Sequence, residues 1–419
     1  MKRFECLAVA AAAIVLWCGD ASSQEVLIRG AKVHTVSSHG TLDKADVLIR
    51  DGRIAAVAAS LDAPANAAVV EAGGRSLTPG LFGGFSGIGL DEVSGESSTL
   101  NSTLDIGAPV WQLQWRPEFD VTPAFNPRST LLPVARIEGI TWTVLQPGAD
   151  TLLSGQGAAV TLDGRFDAAL PGSRSLFVNI EDAGFASSGG SRAAEYMLLE
   201  QAIREARSTG APLQGALLHP AGREVLARYL KGGRAVFNVN RAADIREVLA
   251  FARRNGIKPV ICGGIEAWVV AGDLAREQVP VLLDPLQNLP SSFDALGARL
   301  DNAALLQKAG VRIAFSLASS DGSHNARKVR QIAGNAVAHG LDWEAALAAV
   351  TANPAEIFGQ GGTRGRIAVG QTADVVLWSG DPLEVNAVAD QVWIAGKPVE
   401  MRSRQTELRD RYLGGVAKP

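Results

Sequence analysis

Imidazole, thiol and carboxylate groups carry most acid–base, nucleophilic and metal chemistry, and this 419-residue chain is sparing with two of them. It has five histidines: His34, His39, His219, His324 and His339. None falls between His39 and His219, so a long early part of the chain offers no imidazole to a metal or substrate. His34 and His39 lie in a β-patterned start. His219 precedes a helical pattern, and His339 stands at a helix end, where an imidazole suits the C-terminal dipole. His324 is the least bland, because it follows Asp321 by three residues in a loop. Ser320, Asp321 and His324 contain the groups of a serine triad, but three groups so close in one loop rarely hold triad geometry. Asp321 is the candidate catalytic carboxylate. Glu92 and Glu266 are acids able to serve a pocket or simply to face water. Ser86 in Gly84-Phe-Ser-Gly-Ile88 is not a nucleophile elbow, because the fifth position is isoleucine. Ser154-Gly-Gln-Gly157 resembles a phosphate loop superficially, and a turn is the simpler reading.

The elements that must position these groups fall into three parts. Residues 24–78 are β-patterned, and Asp51-Gly52 between two apolar runs predicts a hairpin with a type I′ turn. Residues 362–400 hold further strands, around 366–369, 373–378 and 391–399. Neither end has enough strands for a domain, so the two are expected to build one composite β-sandwich. Between them, residues 79–361 alternate short apolar strands with helical patterns. Strands are expected at 141–145, 176–180, 235–239, 259–262, 281–283 and 311–315. Helices are expected at 192–208, 242–254, 266–277, 325–339 and 343–350, with Asp342 as the N-cap of the last. Such alternation implies a mainly parallel sheet. Periodicity alone leaves a closed (β/α)8 barrel and an open doubly wound sheet both standing. Residues 90–133 form a long polar insertion, expected over the mouth of the middle domain, and 401–419 a solvated tail.

Composition sets the class. Hydrophobic residues make up 47% and charged ones 20%, with a net charge of −3 and a pI near 6.0. That is a globular chain with no basic footprint for nucleic acid. Residues 1–23 read as a cleavable export signal. Lys2 and Arg3 come first, 7–17 is an apolar run too short to span a bilayer, and Ala21 and Ser23 suit cleavage before Gln24. The expected location is the periplasm or beyond, with no membrane segment after cleavage. Lipid attachment at Cys18 is a weaker alternative, given bulky Trp17. Of three cysteines, Cys6 and Cys18 lie in the signal, which leaves Cys262 with no intrachain disulfide partner. It reads as a small buried apolar residue.

One stretch ties the parts together. Pro79, Gly80, Leu81 and Gly89 fit a strand-and-loop pattern of roughly P-G-L-I-D-x-H-x-H-x-G. With Asn240-Arg-Ala-Ala-Asp-Ile245, Thr351-Ala-Asn-Pro-Ala-Glu-Ile-Phe-Gly359 and Gly370-Gln-Thr-Ala-Asp-Val-Val376, the chain resembles the amidohydrolase superfamily in its imidazolonepropionase-like branch. The resemblance covers nearly the whole chain after the signal. It implies a (β/α)8 TIM barrel plus the composite β-sandwich, and hydrolysis of non-peptide carbon–nitrogen bonds at a zinc held by histidines and an aspartate. Here the chain departs from the family. Phe85 and Gly87 occupy the histidine positions of the first strand, and Gly83 the preceding aspartate. Asn238 and Asn240 stand where a further histidine is expected, and glycine follows Cys262 where another would be. Asp321 matches the family aspartate only loosely.

Two functions follow as expectations. The first is a degenerate member without the metal centre and with no cofactor, binding a small molecule at the barrel mouth or a partner subunit as a homo- or hetero-oligomer with a related chain. Its pocket would be lined by Phe85, Asn238, Asn240, Glu266, Asp321 and His324. The second is a working hydrolase of amides or cyclic amides with an altered site.

Overall fold

The computed structural model describes residues 25–93, 95–180, 189–210, 214–317 and 322–414. The expected signal and Asp321 lie outside them. Among the described residues no helix is long and apolar enough to cross a membrane.

The two ends of the chain share one eight-stranded sheet. Its strands are β1 (Val26–His34), β2 (Thr41–Arg50), β3 (Arg53–Ala58), β4 (Ala68–Glu71) and β5 (Ser76–Pro79), then β15 (Val375–Trp378), β16 (Ala389–Ile394) and β17 (Lys397–Pro398). The order is β17-β16-β15-β5-β1-β2-β3, with β4 also paired on β1. The β2–β3 hairpin turns on Asp51 at φ 49° and Gly52 at φ 74°, the left-handed pair a type I′ turn requires. The ends meet where Val375, Val376 and Leu377 pair antiparallel with Pro79, Thr78 and Leu77. Their apolar side chains form one core, in which Ile28, Val47 and Leu77 pack with Ile367, Val375 and Trp393. Buried Arg364 donates to Asp374 Oδ2 at 2.9 Å, and Asp374 Oδ1 accepts from the Ala395 amide at 2.8 Å. Burial pushes the Asp374 carboxyl up, and Arg364 opposes the shift. Asp374 therefore ties the segment before β15 to the turn after β16, and its carbonyl accepts from Gly80 N, where the chain enters the middle domain.

The middle contains β6 (Leu81–Ser86), β7 (Ile140–Leu145), β8 (Leu153–Gly157), β9 (Ala159–Thr161), β10 (Ser175–Asn179), β11 (Arg234–Val239), β12 (Lys258–Gly263), β13 (Val281–Leu283) and β14 (Ile313–Phe315). They make a six-stranded sheet, β14-β13-β12-β11-β10-β8, and a three-stranded one, β6-β7-β9. Strands β10 to β14 run parallel, as do β6 and β7. Both sheets contribute to one interior. Phe82, Phe85, Trp142 and Val144 pack there with Phe177, Val236, Val260, Leu282, Ala314 and Phe358. Residues 153–161 pass from one sheet to the other with only Ala158 between β8 and β9. At the far edge Phe85 N donates to Ser316 Oγ at 2.9 Å. Strands β6, β7, β10, β13 and β14 are buried throughout, so they read in the sequence as continuous apolar runs and not as alternating ones.

Helices cover the outer side. Arg192–Arg207 starts on Ser191, whose side chain accepts from Ala194 N, and Trp343–Ala349 on Asp342, which accepts from Ala345 N at 3.0 Å. The helix Ala242–Asn255 buries Ile245, Val248, Leu249 and Ala252 on one face and ends at Gly256, φ 70°. The expected helix at 266–277 is a 3-10 turn, Ala267–Val270, followed by Ala271–Arg276. The insertion 90–133 does not simply cover the mouth of the middle domain. Its first part stays near the carboxyl end of β6, but its middle runs down the edge of β8, with Trp115 bridged to Leu153 and Asp120 to Gln156. An unpaired edge strand is a liability, and burying Trp115 against β8 covers it.

Two outcomes are expected. A chain stopped at Gly361 loses Ile367, Val375, Leu377 and Trp393 from the sheet core and bares the β5 edge. It should aggregate in size-exclusion chromatography or lose cooperative urea unfolding; an equally stable soluble truncation would refute the shared core. The second concerns pH. Buried His34 packs on Trp343 at 4.7 Å and contacts Thr41 Oγ1 at 3.0 Å through Nδ1. Its pKa falls to about 4, by burial first and Lys32 second, with Asp381 opposing. The folded state thus keeps His34 neutral while the unfolded chain protonates near the ordinary 6.5. Its contribution is complete above that value and is lost as pH falls towards 4, by at most about 3 kcal/mol. His34→Gln should reduce the stability difference between pH near 7 and pH near 4.5 in denaturant melts.

Candidate functional site

Strand register places the candidate residues. Asn179 pairs with Asn238, Asn238 with Cys262, Cys262 with Leu282 and Leu282 with Ala314. Side chains two apart share a face of a sheet. This row therefore lies directly above Phe177, Val236 and Val260, the interior layer, towards the carboxyl ends of the parallel strands. Catalytic groups of barrel enzymes sit at that end.

Phe85 is part of the interior. It is 5% exposed, and its ring meets Phe177 edge-on at 5.4 Å and Phe358 at 5.7 Å. Aromatic pairs favour this T-shaped contact, worth about 1 kcal/mol beyond burial. The glycine before it, Gly84, has φ 78°, and a Cβ there would stand 2.9 Å from Ser316 Oγ. The loop from β6 is held equally tightly. A Cβ on Gly87 would lie 2.4 Å from Asp91 Oδ2 and 2.8 Å from Ser323 Oγ. Asp91 fills that space while accepting from Asn101 N at 2.9 Å, Ser102 N at 3.1 Å and Ser102 Oγ at 2.7 Å.

Asn238 belongs to an amide chain. Its Nδ2 donates to Asn179 Oδ1 in a short contact. Asn179, buried, donates in turn to Thr151 O at 2.6 Å and Ser154 Oγ at 2.7 Å. That leaves half-buried Asn238 with one N–H and its carbonyl oxygen to offer a ligand. Beside this chain, under the insertion, is a cavity of about 150 Å³ lined by Thr151, Ser154, Gln114 and Asp150 among others.

The remaining candidates go elsewhere. Half-buried Asn240 accepts from Ile265 N at 3.3 Å through Oδ1, bracing the loop after β12. Glu266 Oε2 accepts from Ala242 N at 2.9 Å, so it satisfies an open donor at the start of the helix Ala242–Asn255, as an N-cap would. His324 is exposed on the short helix Gly322–Asn325. The structure thus brings Phe85 and Asn238 to one interior face, and puts Asn240 and Glu266 to work on a loop and a helix start. Sequence reasoning missed Asn179, Asp91 and Asp284. Asp284 directly follows β13, two residues beyond Leu282, and accepts from Leu286 N at 3.0 Å. The signal for Asp91 was Gly87 four residues earlier, whose carbonyl accepts the Asp91 amide at 2.8 Å. Among the described residues no three His, Cys, Asp or Glu side chains are grouped to hold a metal ion. A phenyl ring, an occupied glycine and a bonded amide do not fit zinc, which takes imidazole, thiolate and carboxylate.

The fold and this location define an α/β protein with its candidate site at the carboxyl ends of parallel strands. Residues 322–400 match the family model described as Amidohydrolase family. Over 72 residues the chain is 46% identical to amidohydrolase tasK of Hapsidospora irregularis, which is 17% of this chain and 7% of that one. It is 26% identical to an imidazolonepropionase of Chromobacterium violaceum, over 91% of this chain and 93% of the relative. Among solved structures, an amidohydrolase from Thermotoga maritima aligns with TM-score 0.76 and 25% identity, covering 90% of this chain and 100% of that one. A zinc-containing adenosine deaminase from Xanthomonas campestris shares the fold, with TM-score 0.54 and 19% identity, over 93% and 97% of the two chains. Over nearly its whole length the chain is thus similar to members of the amidohydrolase superfamily.

If Glu266 is a helix cap, Glu266→Ala should lower stability by about 1 kcal/mol in urea unfolding, and Glu266→Gln, which keeps an acceptor, by less. A purely solvated acid would leave both variants unchanged.

Proposed function

We propose that this protein is an exported, degenerate amidohydrolase-fold protein that binds a small neutral polar molecule at the mouth of its barrel without zinc-dependent hydrolysis. The observation that carries this reading is the Phe85 ring, packed edge-on between Phe177 and Phe358 at a position where the family pattern has a metal-binding histidine. The parallel strands β10 to β14 and β6–β7, their shared interior and the Phe85–Ser316 contact support a closed (β/α)8 barrel. The branching of the eight-stranded sheet at β1, which carries both β4 and β5, supports its closing into a sandwich. With no imidazole cluster beside it, the free N–H and carbonyl of Asn238 suit an amide-like or hydroxylated ligand. Assembly with a second copy or a related, histidine-complete subunit fits a binding role, and the apolar run before Gln24 fits export.

A second reading has its own support. The similarity to an imidazolonepropionase runs nearly end to end, and Asp91 brings a carboxylate to the loop beside Ser323. A hydrolase of amides or cyclic amides would use such a group, with Asp321, as acid or base.

Protein purified without chelator should carry well under one equivalent of zinc by elemental analysis, and should not hydrolyse a panel of cyclic and linear amides with or without added zinc. One tightly held zinc per chain would overturn the binding-protein reading. Metal-independent turnover that Asp91→Asn abolishes would replace it with the altered hydrolase.

A further inference from the structure

The opposite end of the parallel sheet carries a second feature. A cleft of about 760 Å³ opens at the amino ends of β10 to β12. Three cations line it from adjacent strand starts. Arg174 directly precedes β10, and Arg234 and Lys258 are the first residues of β11 and β12 and pair in register. A fourth, Arg228, comes from the last turn of the helix Pro220–Tyr229. Among the described residues, the only acids in the lining are Glu118 and Asp120.

Those acids are already engaged with arginines. Asp120 pairs with Arg174, and Glu118 Oε1 accepts from Arg116 at 3.2 Å. Glu118 Oε2 is buried against Gly222, where a Cβ would approach it to 2.6 Å. Arg234 meets no carboxylate among the described residues. Its Nη1 donates to the carbonyls of Gly172 and Ser173 at 3.4 and 3.3 Å, its guanidinium lies 5.6 Å from the Phe358 ring, and burial pushes its pKa down. Arg228 and Lys258 are exposed and make no ion pair among the described residues. Many other arginines of this chain are paired, as Arg253 is with Glu277 at 2.8 Å. The floor supplies a neutral donor and acceptor. Burial raises Tyr229 to about 12, against the pull of Arg174, Arg228 and Arg234, and its hydroxyl donates to Gln156 Oε1 at 3.1 Å.

Four cations facing two committed carboxylates leave an excess of positive charge inside a concave wall, and guanidinium forks match tetrahedral oxyanions. We propose that this cleft is a binding site for a phosphate dianion, free or carried as the monoester of a small molecule, with Arg228 and Lys258 as mobile clamps and Arg234 as the fixed base. It lies at the far end of the strands from Asn238 and does not depend on the function proposed above.

Titration calorimetry on the full chain tests this with inorganic phosphate, with glycerol phosphate, and with sodium chloride at matched ionic strength. Saturable binding near one equivalent is expected for at least one of the two phosphates, and the tighter of them identifies free or esterified phosphate. Arg228→Gln combined with Lys258→Gln should weaken it about tenfold or more and leave the melting temperature without phosphate unchanged. Arg246→Gln, on a distant surface ion pair, should leave binding intact. Absence of saturable binding, equal heat from chloride, or an unaffected double variant would overturn the proposal.

Discussion

The packing of Phe85 between Phe177 and Phe358 is the contact on which the rest of the middle domain depends. Strands from two sheets must converge on one interior, and the space between their inward faces has to be filled. Here three phenyl rings, with Phe82 and Trp142 below them, fill it. Burying an aromatic side chain contributes a few kcal/mol, and the edge-on geometry adds specificity. A polar metal ligand and its water at position 85 would need the opposite: an open, hydrated interior. On the reading proposed above, packing occupies a volume that metal chemistry would need.

The second constraint is the junction of the two ends. Strand β5 leads directly into β6 with only Gly80 between, so the sheet and the interior strands are built from one continuous extended segment. Asp374 secures the return. Its carbonyl accepts from Gly80 N at 2.8 Å while its carboxylate holds Arg364 and the Ala395 turn. A buried ion pair adds little net stability, but removing one partner leaves an uncompensated charge and costs about 3–5 kcal/mol. The pair therefore fixes which segments meet more than it strengthens the meeting.

Polar residues at the carboxyl ends of the strands show how structural duties draw on a potential site. Glu266 closes a helix start, Asn240 braces a loop and Asn179 ties three carbonyl and hydroxyl oxygens together. Among the described residues of the expected set, Asn238 alone combines interior orientation with unused hydrogen-bonding capacity. The amino ends of the same strands are arranged differently, with cations gathered and few carboxylates to meet them.

Local physics made much of this legible in the sequence. Apolar runs marked the buried strands, Asp51-Gly52 marked a left-handed turn, Asp342 marked a helix start, and β patterns at both ends implied a shared sheet. Each depends on residues a few positions apart, whose conformational preferences act wherever the chain goes. The partners of the polar side chains were not legible. Asn179 and Asn238 are 59 residues apart and meet only because β10 and β11 pair in one register. Asp91 fills the place of a Gly87 side chain because a short turn folds it back, and Glu266 reaches Ala242 only after a helix, a strand and a loop intervene. The insertion follows β8 because that edge needed covering. Sequence determined which groups this chain possesses and which it lacks; register and loop closure, which no local pattern encodes, decided which of them are left for a ligand.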